Sequence, residues 1–187
     1  AEPDPYCYPG SDVLKNKAGL TDAAALEVFE TAMSFARSEE PLPAGRFSAR
    51  HLAAVHRHIF QDVYEWAGKF RTVRLSKDRS TFCYPENIGK ELSALFAWLK
   101  AEKCLRGLTE SAFADKAAHF LGELNAIHAF REGNGRTQLT FLALLADRAG
   151  HSLDFDKLDP ERMLAAMIKS FQGNERPLAN DTRPPFI

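Results

Sequence analysis

The sequence predicts a mostly α-helical, single-domain protein: a bundle of about six or more helices carrying one short β-hairpin. Three observations carry this. The chain has 187 residues, a length that suits one compact core. Apolar residues recur at near-helical spacing in segments separated by proline and glycine. One stretch alone, FRTVRLSKDRSTFCYP, reads as two strands about a polar turn.

The opening, residues 1–20, is rich in turn formers and aromatics and is expected to be an extended arm on the domain surface. From Thr21, a reasonable N-cap, Leu26, Phe29, Met33 and Phe35 mark a first helix running to about Ser38. Pro41, Pro43 and Gly45 end it, and Ser48 caps a second helix with Leu52, Val55, Ile59, Phe60, Val63 and Tyr64, closed at Gly68. In the hairpin, residues 70–84, Phe70, Val73 and Leu75 precede a turn of Ser76, Lys77, Asp78 and Arg79, before Ser80, Thr81 and Phe82. Helices then follow over about Pro85–Glu102, Thr109–Ile127, Asn134–Ala149 and Pro160–Phe171, the last with Asp159 as N-cap and proline at its first position. The proline-rich residues 174–187 read as a tail or the start of a linker.

Formal net charge is −1, so the overall basic balance that draws proteins to nucleic acid or anionic lipid is missing. No apolar run approaches the roughly 20 residues that span a bilayer. Neither a nucleic-acid nor a membrane partner is expected. Cys7, Cys83 and Cys104 share no metal-ligand spacing, and AEPDPYCYPG has neither a basic start nor an apolar run of the secretory kind. His51, His56 and His58 cluster on the second helix, but no Cys, Asp or Glu completes a zinc set, so structural roles are expected for them. Arg71, Arg74, Lys77 and Arg79 make the hairpin basic.

Chemistry concentrates in HAFREGNGRTQ, His128 to Gln138, at the junction of two periodic helices. Glycines on both sides of Asn134 let the backbone approach an anion, and the unpaired N–H groups of the next helix point outward with the positive end of its dipole. Arg136 adds a guanidinium suited to phosphate oxygens. Glu132 supplies a hard carboxylate of the kind that holds Mg²⁺ beside nucleotide phosphates. His128 is the side chain best able to take a proton near neutral pH. Each piece alone is common; together within eleven residues they make a phosphoryl-transfer set.

This segment resembles the Fic/Doc signature HxFx(D/E)GNGRxxR. YPGSDVLKNKAGL is similar to the N-terminal arm of bacterial Fic toxins, and the hairpin falls where the family places its target-docking flap, so the likeness spans nearly the whole chain. The resemblance implies a Fic fold and protein adenylyltransferase (AMPylation) activity. On this reading His128 deprotonates a target hydroxyl that attacks the α-phosphorus of ATP, and Glu132 holds Mg²⁺. Gly133, Asn134 and Gly135 form the anion hole, Arg136 stabilises the leaving phosphates, and Ser76, Lys77, Asp78, Arg79, Ser80, Thr81 and Phe82 dock the target. Phe130 is expected to be a buried anchor and Arg131 to face solvent.

The sequence departs from that pattern at Ala129, where many members carry proline, and at Leu139, in place of the second arginine. Leucine cannot donate to a γ-phosphate, so weak ATP binding and altered regulation are expected. Doc-type kinases also end the motif in leucine but carry lysine at the position of Gly135, so the retained glycine favours AMP transfer. The alternatives are a Doc-like kinase, transfer of another nucleotide, or a catalytically weak nucleotide- or protein-binding module. No Ser or Thr is followed by Glu four residues on, so any inhibitor is expected to be a separate antitoxin-like protein acting in trans or a segment outside these residues. Such a chain would work in the cytoplasm or be delivered into a host cell as an effector.

Overall fold

A computed structural model describes residues 3–77 and 80–151. Asp22, one residue past the expected cap, starts α1 (Ala23–Ser38): its Oδ2 accepts the Ala25 N–H at 2.9 Å. Ser48 caps α2 (Ala49–Phe60) as the sequence implies, accepting from the His51 N–H at 3.2 Å. This helix stops at Phe60, well before Gly68, because the next residues form tight turns in which the N–H groups of Val63 and Tyr64 both return to the Phe60 carbonyl. Those turns still deliver Val63 and Tyr64 to the core, at 0% and 1% exposure.

The hairpin is shorter than its apolar pattern suggests. β1 (Ser76–Lys77) and β2 (Ser80–Thr81) pair antiparallel, Ser76 opposite Thr81 and Lys77 opposite Ser80. Phe70 to Leu75 do not join the ladder as a full strand; the Arg71 N–H, for example, is taken by the Ala129 carbonyl at 2.9 Å.

A 3-10 turn, Pro85–Asn87, leads into α3 (Ile88–Ala101). Thr109 caps α4 (Glu110–Ile127), and α5 (Asn134–Ala149) has the bounds the sequence implies, ending at Gly150 with φ 88°. The helix expected over Pro160–Phe171 and the tail lie outside the described residues.

α4 packs against α3 and α5. Its Ala114, Ala117, Ala118 and Gly122 are buried and small enough to let α3 and α5 approach closely, while α2 packs against α1, α3 and α5. Phe60, Phe113, Phe120, Phe130 and Phe141 fill the space between. Removing such side chains from water is the main favourable term in folding. No helix among the described residues is long and apolar enough to cross a membrane.

Candidate active site

The site is the turn from the end of α4 to the start of α5. His128 caps α4 in the left-handed region (φ 50°, ψ 60°), its N–H bonded to the Leu124 carbonyl at 2.9 Å. That conformation is costly for a residue with a Cβ, and the surroundings hold it. Arg71 Nε donates to the His128 carbonyl at 2.7 Å, and the Phe82 ring stacks on the imidazole with centroids 3.9 Å apart and planes at 11°.

Burial pushes the imidazole down to about 4, helped by the Arg71 and Lys77 cations and opposed by the nearby Asn125 backbone. The ring is therefore neutral near neutral pH. Nδ1 is buried and makes no hydrogen bond of normal geometry.

The loop is clamped from inside. Asn134 is 4% exposed, and its side chain accepts the Phe130 N–H at 2.9 Å and donates to the Phe130 carbonyl at 2.7 Å. Only its backbone N–H is left for the outer face. Phe130 stacks on His56, centroids 3.8 Å apart. His56 is fully buried, and its tautomer follows from its partners. Its Nδ1 must accept, because the Gly68 N–H at 2.9 Å can only donate, so Nε2 carries the proton and donates to the Glu132 carbonyl, also at 2.9 Å. Burial pushes this ring down to about 4 as well. His51 and His58 likewise bond to backbone carbonyls, of Pro43 and Arg37.

Gly133, at φ 78°, is the N-cap of α5, and no side chain caps the helix. The N–H groups of its first turn thus have no intrahelical acceptor. A Cβ on Gly135 would meet nothing within 4 Å, so the space in front of the helix is open. Glu132 is exposed, one carboxylate oxygen accepting the Gly133 N–H at 3.0 Å. Arg136 is also exposed and donates to Ser34 Oγ of α1. Beside it, Glu30 accepts from the Tyr64 hydroxyl; burial raises its carboxyl, and Glu132 pushes the same way while Arg136 opposes.

Glu30, Ser34, His56 and Arg71 join the site without any motif to mark them. Arg71 is 2% exposed, so it does not belong to the basic face of the hairpin. Arg74 faces solvent, 3.7 Å from Glu86 and over the Tyr84 ring. Arg131, expected in solvent, pairs with Asp4 of the arm at 2.8 Å. Of the seven flap residues, Ser76, Lys77 and Thr81 are exposed and Ser80 is half-buried, whereas Phe82 is turned inward onto His128; Asp78 and Arg79 lie outside the described residues. Leu139 is partly buried and packs against the core.

The arrangement is a neutral imidazole beside an open helix N-terminus, with a carboxylate and a guanidinium at its rim. The chain belongs to the Fic/DOC family, whose model matches residues 46–146. It is 52% identical over 181 residues to the probable protein adenylyltransferase y4lH of Sinorhizobium fredii, covering 96% of this chain and 94% of that protein. It is 41% identical over 174 residues to the protein adenylyltransferase VbhT of Bartonella schoenbuchensis, covering 91% of this chain and 36% of that one. Its fold matches the crystal structure of BepC, a VirB-translocated effector of Bartonella tribocorum with bound AMPPNP, at a TM-score of 0.86 and 30% identity, covering 95% of this chain and 93% of that one.

Proposed function

We propose that this chain is a protein adenylyltransferase that moves AMP from ATP onto a hydroxyl of a target protein. The observation that carries this is the pairing of a neutral, half-buried His128 with the open, uncapped N-terminus of α5. Because Nδ1 is buried, Nε2 is the nitrogen that faces substrate. It takes the proton from the target hydroxyl as the oxygen attacks the α-phosphorus; the new O–P bond forms, the α–β bridge breaks, and pyrophosphate leaves with the bonding electrons. The backbone N–H groups of Asn134, Gly135 and Arg136 stabilise phosphate charge, with the Arg136 guanidinium beyond them.

Mg²⁺ suits this donor set. Among the described residues no three His, Cys, Asp or Glu side chains cluster as metal ligands. One exposed carboxylate, Glu132, therefore fits an ion held mainly by nucleotide phosphates and water. Bound there, the ion would neutralise charge on the leaving pyrophosphate. Leu139, packed against the core, offers no cation to a γ-phosphate, which supports weak ATP binding and inhibition, by a separate antitoxin-like protein, that does not depend on an ion pair there. The exposed part of the hairpin presents backbone to an extended target segment. The workplace is the cytoplasm, of the producing cell or of a host.

The test uses ATP labelled at the α- or the γ-phosphate with a cell lysate as the source of targets. Label from the α-phosphate alone, abolished by His128→Ala with nucleotide binding kept, is the expected result. Label from the γ-phosphate alone would make the chain a kinase, and no label would make it a binding module.

A further inference from the structure

We infer that Arg71 is a positioning residue that joins the root of the flap to the loop of the catalytic base, so that target docking and base geometry are mechanically coupled. The inference rests on the proposed role of His128. It starts from an oddity of burial: Arg71 is 2% exposed, yet no carboxylate hydrogen-bonds to it among the described residues. Its guanidinium instead donates to four carbonyls from three segments. Nε reaches His128 O at 2.7 Å, Nη1 reaches Val73 O at 2.6 Å, and Nη2 reaches Cys83 O at 2.6 Å and Ile127 O at 3.1 Å.

Val73 and Cys83 flank the hairpin; Ile127 and His128 end α4. A buried cation without a counter-ion is expensive, and here the carbonyls at the negative end of the α4 dipole compensate it. Backbone bonds run across the same seam, from the Arg71 N–H to Ala129 O at 2.9 Å and from the Cys83 N–H to Ala126 O at 3.0 Å. Phe82 completes it by stacking on the imidazole. A flap displaced by a docked segment would thus pull on the carbonyl of the base itself.

The planar, five-donor fork explains why arginine stands here: lysine has three donors on a single nitrogen and cannot serve four carbonyls spread around the fork. The charge has a second effect. Among the described residues, the charged groups acting on His128 are Arg71, from the segment after α2, and Lys77, from β1; the Asn125 backbone of α4 acts the other way. Losing the Arg71 cation therefore favours the protonated, inactive imidazole.

Arg71→Lys keeps the charge and loses the fork; Arg71→Met loses both. Three measurements are made on the whole protein: transfer of α-labelled AMP to lysate proteins across pH, nucleotide affinity, and titration of the His128 ring by NMR. Transfer is expected to fall on the order of a hundredfold in both variants, as for misplacement of a reacting group, with nucleotide affinity within about twofold. The ring titration and the acid limb of transfer should move upward in Arg71→Met and less in Arg71→Lys. Parallel loss of affinity and transfer, with the ring titration unmoved, would reduce Arg71 to a general support and overturn the inference. Should Arg71→Met not fold, Arg71→Lys and hydrogen exchange of the wild-type amides at Arg71 and Cys83 decide it, since independent exchange of the two would break the coupling. If the wild type transfers no AMP, the proposed function fails while the titration and exchange still judge the coupling.

Discussion

A Cβ added at Gly133 would lie 2.3 Å from the Phe60 ring, on a backbone whose φ of 78° already disfavours any side chain. At Gly135, two residues on, the same Cβ meets nothing, so packing gives no reason for glycine there, and the reason left is the proposed nucleotide cradle. Alanine should therefore act differently at the two positions. Gly133→Ala should cost about 2–4 kcal/mol of stability from strain and overpacking, read as a lower unfolding midpoint. Gly135→Ala should leave stability equal or slightly raised, since alanine favours helix, while nucleotide affinity drops on the order of tenfold. Native nucleotide affinity in Gly135→Ala would refute the cradle. Both glycines stood out in the sequence because their setting is local, within one turn of a helix start. Arg71 and His56 did not: their bonds to the loop span 57 and 76 residues of chain, and nothing in the run of residues around either shows that it is buried.

The flap is where pattern and structure part most. Phe70, Val73 and Leu75 before a polar turn imply strand, but a ladder of two residues a side forms because the flanking backbone is engaged by the 126–129 segment instead. Helix starts are better legible, since capping is chemistry between near neighbours; Ser48 caps where it should, the helix expected from Thr109 begins one residue later with Thr109 as its cap, and α5 runs as the pattern has it. The inward turn of Phe82 separates two substitutions in the flap. Thr81→Pro alters an exposed residue paired with Ser76, and should impair modification of protein targets about tenfold or more while nucleotide affinity holds. Phe82→Pro also removes the ring from His128 and the bond from its N–H to the Leu75 carbonyl, so it should damage the base as well. Equal loss of nucleotide binding in Thr81→Pro would put the strand in the nucleotide pocket.

At the scale of the whole molecule, the two histidines that build the site make the fold acid-sensitive. His56 and His128 are both held near 4 by burial, against about 6.5 in an unfolded chain. Between those values the unfolded state binds more protons than the native one, so stability is full above about pH 6.5 and falls as pH drops toward 4. Glu30 works the other way: burial raises its carboxyl, so the native state keeps a proton the unfolded chain has lost, and its contribution fades as pH rises through its native value. Asp62, held down by Arg37, loses its contribution only at still lower pH. Each depressed histidine gives a slope of at most about 1.4 kcal/mol per pH unit, so the pair should cost about 3 kcal/mol between pH 7 and pH 5, a large share of the roughly 5–15 kcal/mol typical of a domain. Urea unfolding at pH 7, 6 and 5 would measure this as a falling midpoint with unchanged denaturant slope. The steepest fall should lie below pH 6.5, where the unfolded imidazoles charge. A flat profile would mean that both rings take protons in the folded state as readily as in the unfolded chain, so that burial does not hold the proposed base neutral below about pH 6.5.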